Sequence, residues 1–165
     1  MDAALMQDIV PISQTGHGKL KEELSRLEKE AVELGHRVAE ARAMGDLREN
    51  GEYIYGRQNL GFVEGRLGEI RGKLNSSQVV DCTQVSCDRA GFGTAVTLLD
   101  LQSQMNVVYD LLGPHDSDLT KDGISVLSPV GKAIAGLAVG DKVSVKVPRG
   151  ERHFELLKID KLPIK

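Results

Sequence analysis

Two acidic residues, Asp46 and Glu49, stand three positions apart in the run Gly45-Asp46-Leu47-Arg48-Glu49-Asn50. Carboxylates at this spacing can do two different jobs. An Asp followed three residues later by Glu is the capping box that opens a helix. The same pair, carried at the end of a stiff element, can deliver negative charge into a deep place on a partner. On residue types alone capping is the plainer reading.

The flanking sequence supplies the stiff element. Before the run, apolar residues fall at Leu20, Leu24, Leu27, Ala31, Leu34, Val38 and Ala41. After it come Tyr53, Gly56, Leu60, Val63, Leu67, Ile70 and Leu74, the same alternation of threes and fours with a gap at Gly56. A seven-residue repeat of this kind is a coiled-coil seam. Two arms joined by so short a connection run antiparallel. An arm of ~24 residues at ~1.5 Å rise is ~35 Å long. Ser13 is a candidate N-cap for the first arm, which the pattern carries to about Ala43. The second arm ends near Lys73 or Leu74, at Asn75-Ser76-Ser77. Its interior glycines each cost ~1 kcal/mol relative to Ala, so packing on the first arm must hold it, and it is expected to be the more mobile arm.

From Val79 the periodicity changes. Residues 94–101, 106–112, 124–127, 143–147 and 154–159 read as strands, with a turn at Pro148-Arg149-Gly150-Glu151. Ser128-Pro129 opens a short helix that stops at Gly136. A small antiparallel sheet with one helix is an α+β domain. The expected division is residues 1–77, the hairpin, and 78–165, the sheet domain.

Several separate motifs resemble the Gre transcript cleavage factors of the GreA type. They are Glu40-Ala41-Arg42, Gly45 through Tyr53, Gly61-Phe62-Val63-Glu64-Gly65-Arg66, Gln78-Val79-Val80-Asp81 and Ile124 through Ala133. The resemblance runs from Pro11 to about Asp160. It implies an antiparallel helical coiled-coil hairpin followed by an FKBP-like α+β domain. It also implies a factor that binds bacterial RNA polymerase, enters its secondary channel and stimulates cleavage of backtracked RNA without being an enzyme itself. In that family the acids matching Asp46 and Glu49 help hold a Mg²⁺ ion shared with the polymerase active site, and the isolated factor is expected to bind none. Mg²⁺ takes one or two carboxylates and keeps several waters, which suits such a pair. Arg42 and Arg57 match basic positions that face the 3′ segment of nascent RNA. Asp116, Asp118, Ser128 and Pro129 match positions on the polymerase-docking side. The resemblance shifts the weight at Asp46 and Glu49 from capping to metal.

Composition agrees with a protein partner. Residues 1–78 carry 11 basic and 13 acidic side chains, and residues 79–165 carry 10 and 11. Neither half has the basic excess of an autonomous nucleic-acid binder. Six aromatic residues and no Trp leave little for the aromatic pocket of a prolyl isomerase, the rival reading for the second domain. A channel binder that inhibits without cleavage is a second rival, and the intact acid pair argues against it. Met1-Asp2-Ala3-Ala4-Leu5 does not read as a secretory leader, and no apolar run approaches ~20 residues. A monomer in the cytoplasm is expected, with Cys82 and Cys87 as reduced thiols.

Overall fold

The computed structural model describes residues 9–45 and 50–164. The chain divides into two compact units. One is Gly18–Asn75, and the other joins the residues up to His17 with those from Ser76 onward.

The first unit holds two helices, α1 (Gln14–Ala43, whose first turn belongs to the other unit) and α2 (Gly51–Asn75). Leu20, Leu27 and Ala41 of α1 and Val63, Leu67 and Ile70 of α2 are buried. All six are seam positions of the repeat. Assigning d to Leu20 and a to Leu24 makes Glu23 a g residue and Glu28 an e residue. On α2, with a at Tyr53, Arg66 is g and Arg71 is e. Arg66 Nη2 lies 2.9 Å from Glu23 and Arg71 Nη2 lies 3.3 Å from Glu28. The pairs are therefore g with g and e with e, which only antiparallel arms allow. These bridges are solvent-exposed, so they fix alignment, while seam burial supplies the cohesion. Gly56 occupies a seam position, where an added Cβ would lie 3.2 Å from Val38 Cγ2.

Among the described residues, the second unit contains seven strands, β1 (Val10–Ser13), β2 (Ser77–Val80), β3 (Thr94–Asp100), β4 (Asn106–Leu112), β5 (Gly123–Ser125), β6 (Lys142–Val147) and β7 (Gly150–Lys161), with one short α-helix, α3 (Pro129–Ile134). Five strands form a sheet in the order β5-β4-β3-β7-β6. Alternate residues of β3, Val96 and Leu98, enter a core with Leu111, Ile134, Val145, Phe154 and Leu156. The loop between β6 and β7 is Pro148-Arg149, and Gly150 at φ +125° supplies the conformation that turn needs.

Two features differ from the sequence reading. The sheet is mixed, because β5 runs parallel to β4. In addition, β1 pairs in parallel with β2, from Val10 opposite Ser77 to Ser13 opposite Val80. Residues 10–17, placed with the hairpin by the expected division at residue 77, thus belong with the sheet unit. Ile12, with no exposed surface, anchors β1 there.

Candidate functional site

The hairpin end is built around Asn50. α1 finishes at Ala43, and Met44 N–H donates back to Ala41 O at 3.1 Å. Gly45 then adopts φ +133°, a conformation that favours glycine. On the other side, Asn50 Oδ1 accepts from Tyr53 N–H at 3.1 Å. Asn50 is thus the N-cap of α2. Its Nδ2 donates to Ala41 O at 2.6 Å, so this carbonyl in the last turn of α1 accepts a second donor beside Met44 N–H. One side chain therefore ties the last turn of α1 to the first turn of α2. Tyr53, the first seam position of α2, is half-buried.

Asp46 and Glu49 lie outside the described residues, within the segment that Asn50 closes. The capping-box reading nevertheless changes. The cap of α2 is Asn50, and the start of that helix does not require Asp46. The donor chemistry at this end, two carboxylates three residues apart, suits a hard divalent cation.

Arg42 and Arg57 are both exposed and both at e positions of the repeat. They share a flank of the seam with the Glu28–Arg71 bridge. There the e pair is of opposite sign; near the end it is two arginines. Like charges placed together weaken a helix pair unless an anion answers them.

The four expected docking residues separate. Asp116 is 1% exposed. Its Oδ2 accepts from Ser13 N–H at 2.8 Å and its Oδ1 from Gly113 N–H at 2.7 Å. Both oxygens are engaged inside the unit, so Asp116 is corrected from a docking residue to an internal clamp on β1. The clamp is close-fitting: a Cβ on Gly16 would lie 2.6 Å from Asp116 Cβ, and one on Gly113 would strike Pro11 O. Ser13 Oγ in turn accepts from Gly16 N–H at 3.0 Å, capping α1 as expected.

Asp118, Ser128 and Pro129 remain near the surface. Asp118 is exposed in the helical turn Ser117–Leu119, which packs against β5. Ser128 Oγ accepts from Gly131 N–H at 3.1 Å and donates to Ser125 O at 2.6 Å, and Pro129 opens α3 in the open. Leu127, placed in a strand by the reading of residues 124–127, lies beyond β5 and is exposed. β5 is thus flanked by the Asp118 turn at one end and the Ser128-Pro129 cap at the other.

Among the described residues, no three His, Cys, Asp or Glu side chains gather as a metal site. None of their helices is long and apolar enough to cross a membrane. Burial, reinforced by the charges of Asp116 and Asp81, pushes the Cys82 thiol up to about 11, an unreactive state.

Two family profiles cover most of the chain. One described as "Transcription elongation factor, N-terminal" matches residues 10–79, and one described as "Transcription elongation factor, GreA/GreB, C-term" matches residues 85–161. A protein named transcription elongation factor GreA from Desulfotalea psychrophila is 44% identical over 93% of this chain and 96% of its own length. One of the same name from Trichlorobacter lovleyi is 40% identical over 93% and 98%. Among solved structures, the Gfh1 protein (GreA factor homolog 1) of Thermus thermophilus aligns over 92% of this chain and 98% of that one. The TM-score is 0.43 and the identity 23%.

Proposed function

The chain belongs to the GreA/GreB family of transcription elongation factors, and from that premise we propose that it stimulates the RNA cleavage activity of bacterial RNA polymerase on backtracked complexes. In this reading the β5–α3 corner, with Asp118, Ser128 and Pro129, docks on the polymerase. The hairpin enters the secondary channel. Asp46 and Glu49 are offered at its end to a Mg²⁺ ion shared with the polymerase, and Arg42 and Arg57 hold the phosphates of the RNA 3′ segment. The bound metal supplies water activation and stabilisation of the leaving oxygen. The chain's own residues do the positioning. Asn50 closes the end, the seam keeps the arms in register, and the paired arginines neutralise the strand that must lie beside the acids.

The observation that carries this reading is the Asn50 brace. It caps α2 without drawing on Asp46, and it fixes the two points between which the acid pair is strung. Charge supports it as well. A net charge of −3 gives little free affinity for nucleic acid, so contact with RNA is expected only inside a protein partner. Alone, the protein is expected to act as a monomer in the cytoplasm and to hydrolyse nothing.

The test is direct. Stalled elongation complexes with RNA labelled at the 5′ end are incubated with Mg²⁺, with and without the protein. The expected result is shortening of the RNA from its 3′ end that depends on the protein. Identical RNA lengths in both arms, with binding to the polymerase demonstrated, would overturn the reading.

A further inference from the structure

The flank of the hairpin opposite the two arginines carries a groove of about 850 Å³. Its floor is the seam itself, Leu34, Ala41 and Gly56, and its walls are Met44 and Tyr55. Gly56 deepens it, because the other seam positions of α2 hold Tyr, Leu, Val or Ile and this one has no side chain. Met44 is 75% exposed and Tyr55 is 70% exposed. Large apolar side chains left open around a concave surface mark an interaction site.

The rim determines what fits. Arg37, Glu40 and Glu52 border the groove. Arg37 Nη2 is held by Glu33 Oε1 at 2.8 Å, one helical turn back. Glu40 and Glu52 have no ion-pair partner among the described residues. The rim is therefore acidic over an apolar floor. Phosphate would be repelled here, while the e flank with Arg42 and Arg57 would attract it. The hairpin end has two faces of different chemistry, a cationic one and an acidic, apolar one.

We propose that this groove receives a peptide segment of the polymerase that presents an apolar side chain beside a Lys or Arg. The apolar side chain enters between Met44 and Tyr55, and the cation meets Glu40 and Glu52. The hairpin thus handles RNA on one flank and protein on the other, and the groove contact sets how deep the acid pair is seated. The identity of the partner rests on the function proposed above; the chemistry of the segment rests on the groove.

The experiment places a photoreactive benzoylphenylalanine at position 55 of the full chain, and in a separate protein at position 57. Each is bound to stalled elongation complexes with labelled RNA. Position 55 is expected to crosslink to polymerase protein, at a peptide with an apolar residue next to Lys or Arg, and position 57 to RNA. The crosslink at position 55 should fall sharply in the Glu40→Lys, Glu52→Lys background. Separately, Met44→Ser with Tyr55→Ser should raise the half-saturating concentration about tenfold, the size of one lost anchor contact. These are surface positions, and an unchanged melting curve confirms the fold. A crosslink from position 55 to RNA or to a second copy of the chain, or none in a formed complex, overturns the proposal, as does unchanged half-saturation. A wild-type protein that crosslinks at the groove yet never stimulates cleavage would refute the function and leave the groove standing.

Discussion

Asn50 Nδ2 donates to the carbonyl of Ala41 at 2.6 Å, across the end of the hairpin. The bond joins residues nine positions apart and spans the whole acidic segment. Asn50→Ala removes this bond and the α2 cap together. A lost cap alone costs ~1 kcal/mol, so the hairpin should melt earlier. Cleavage should fall further than polymerase affinity does. Half-saturation and maximal cleavage rate, measured in the same titration, separate the two effects.

Asp116 makes the corresponding bond in the sheet unit. Asp116→Ala strands two buried N–H groups, those of Ser13 and Gly113. Each unsatisfied donor costs ~1–3 kcal/mol, so a loss on the order of 3 kcal/mol is expected. Denaturant unfolding measures it. Hydrogen exchange should show residues 10–17 opening first, and a loss within 0.5 kcal/mol or so would mean that water replaces the carboxylate.

Acid should weaken the same unit through Asp100. The backbone N–H of Gln102 and that of Ser103, with Arg152, hold this carboxyl below its usual range. A depressed folded-state pKa contributes stability above the unfolded value, ~3.9, and loses it as pH falls through the folded value. Wild-type stability should therefore drop below about pH 4 more steeply than that of Asp100→Asn. Melting temperatures from pH 2 to 7 test this, and parallel curves would remove Asp100 from the account.

The second arm has room for stabilisation. A Cβ at Gly68 or Gly72 meets nothing within 4 Å. Gly68→Ala with Gly72→Ala should gain about 0.5–1 kcal/mol per site from helix propensity and a less flexible unfolded chain. Thermal melts provide the measurement. No gain would mean that these positions are not stably helical in solution.

The hairpin was legible because its seam repeats locally every seven residues, and each buried position there is one the repeat names. Ser13, Ser128 and Pro129 were legible as caps for the same reason, since a cap acts within three residues. The β1–β2 pair was not. It is four residues long and parallel, and it joins Val10 to Ser77, a contact no local pattern encodes. Asp116 followed from this. A lone Asp beside Ser117-Asp118 reads as surface, and only the return of Ser13 to the same loop buries it. The Asn50 brace was not legible either, because its partner Ala41 O lies nine positions back, across the end of the hairpin. The groove was invisible because its walls, Met44 and Tyr55, are outside the seam on different arms.

In the proposed function Asp46 and Glu49 act on the RNA through the polymerase and not through the fold of the factor. The most direct measurement is the rate of protein-stimulated transcript cleavage in stalled complexes by the Asp46→Ala, Glu49→Ala double variant. It is run at saturating protein, with affinity measured by competition against labelled wild type. Because Asn50 supplies the α2 cap, the expected result is an unchanged melting curve and affinity within about threefold, with stimulation falling to the level of polymerase alone; a threefold change is only ~0.7 kcal/mol. Cleavage near the wild-type rate in the double variant would contradict it.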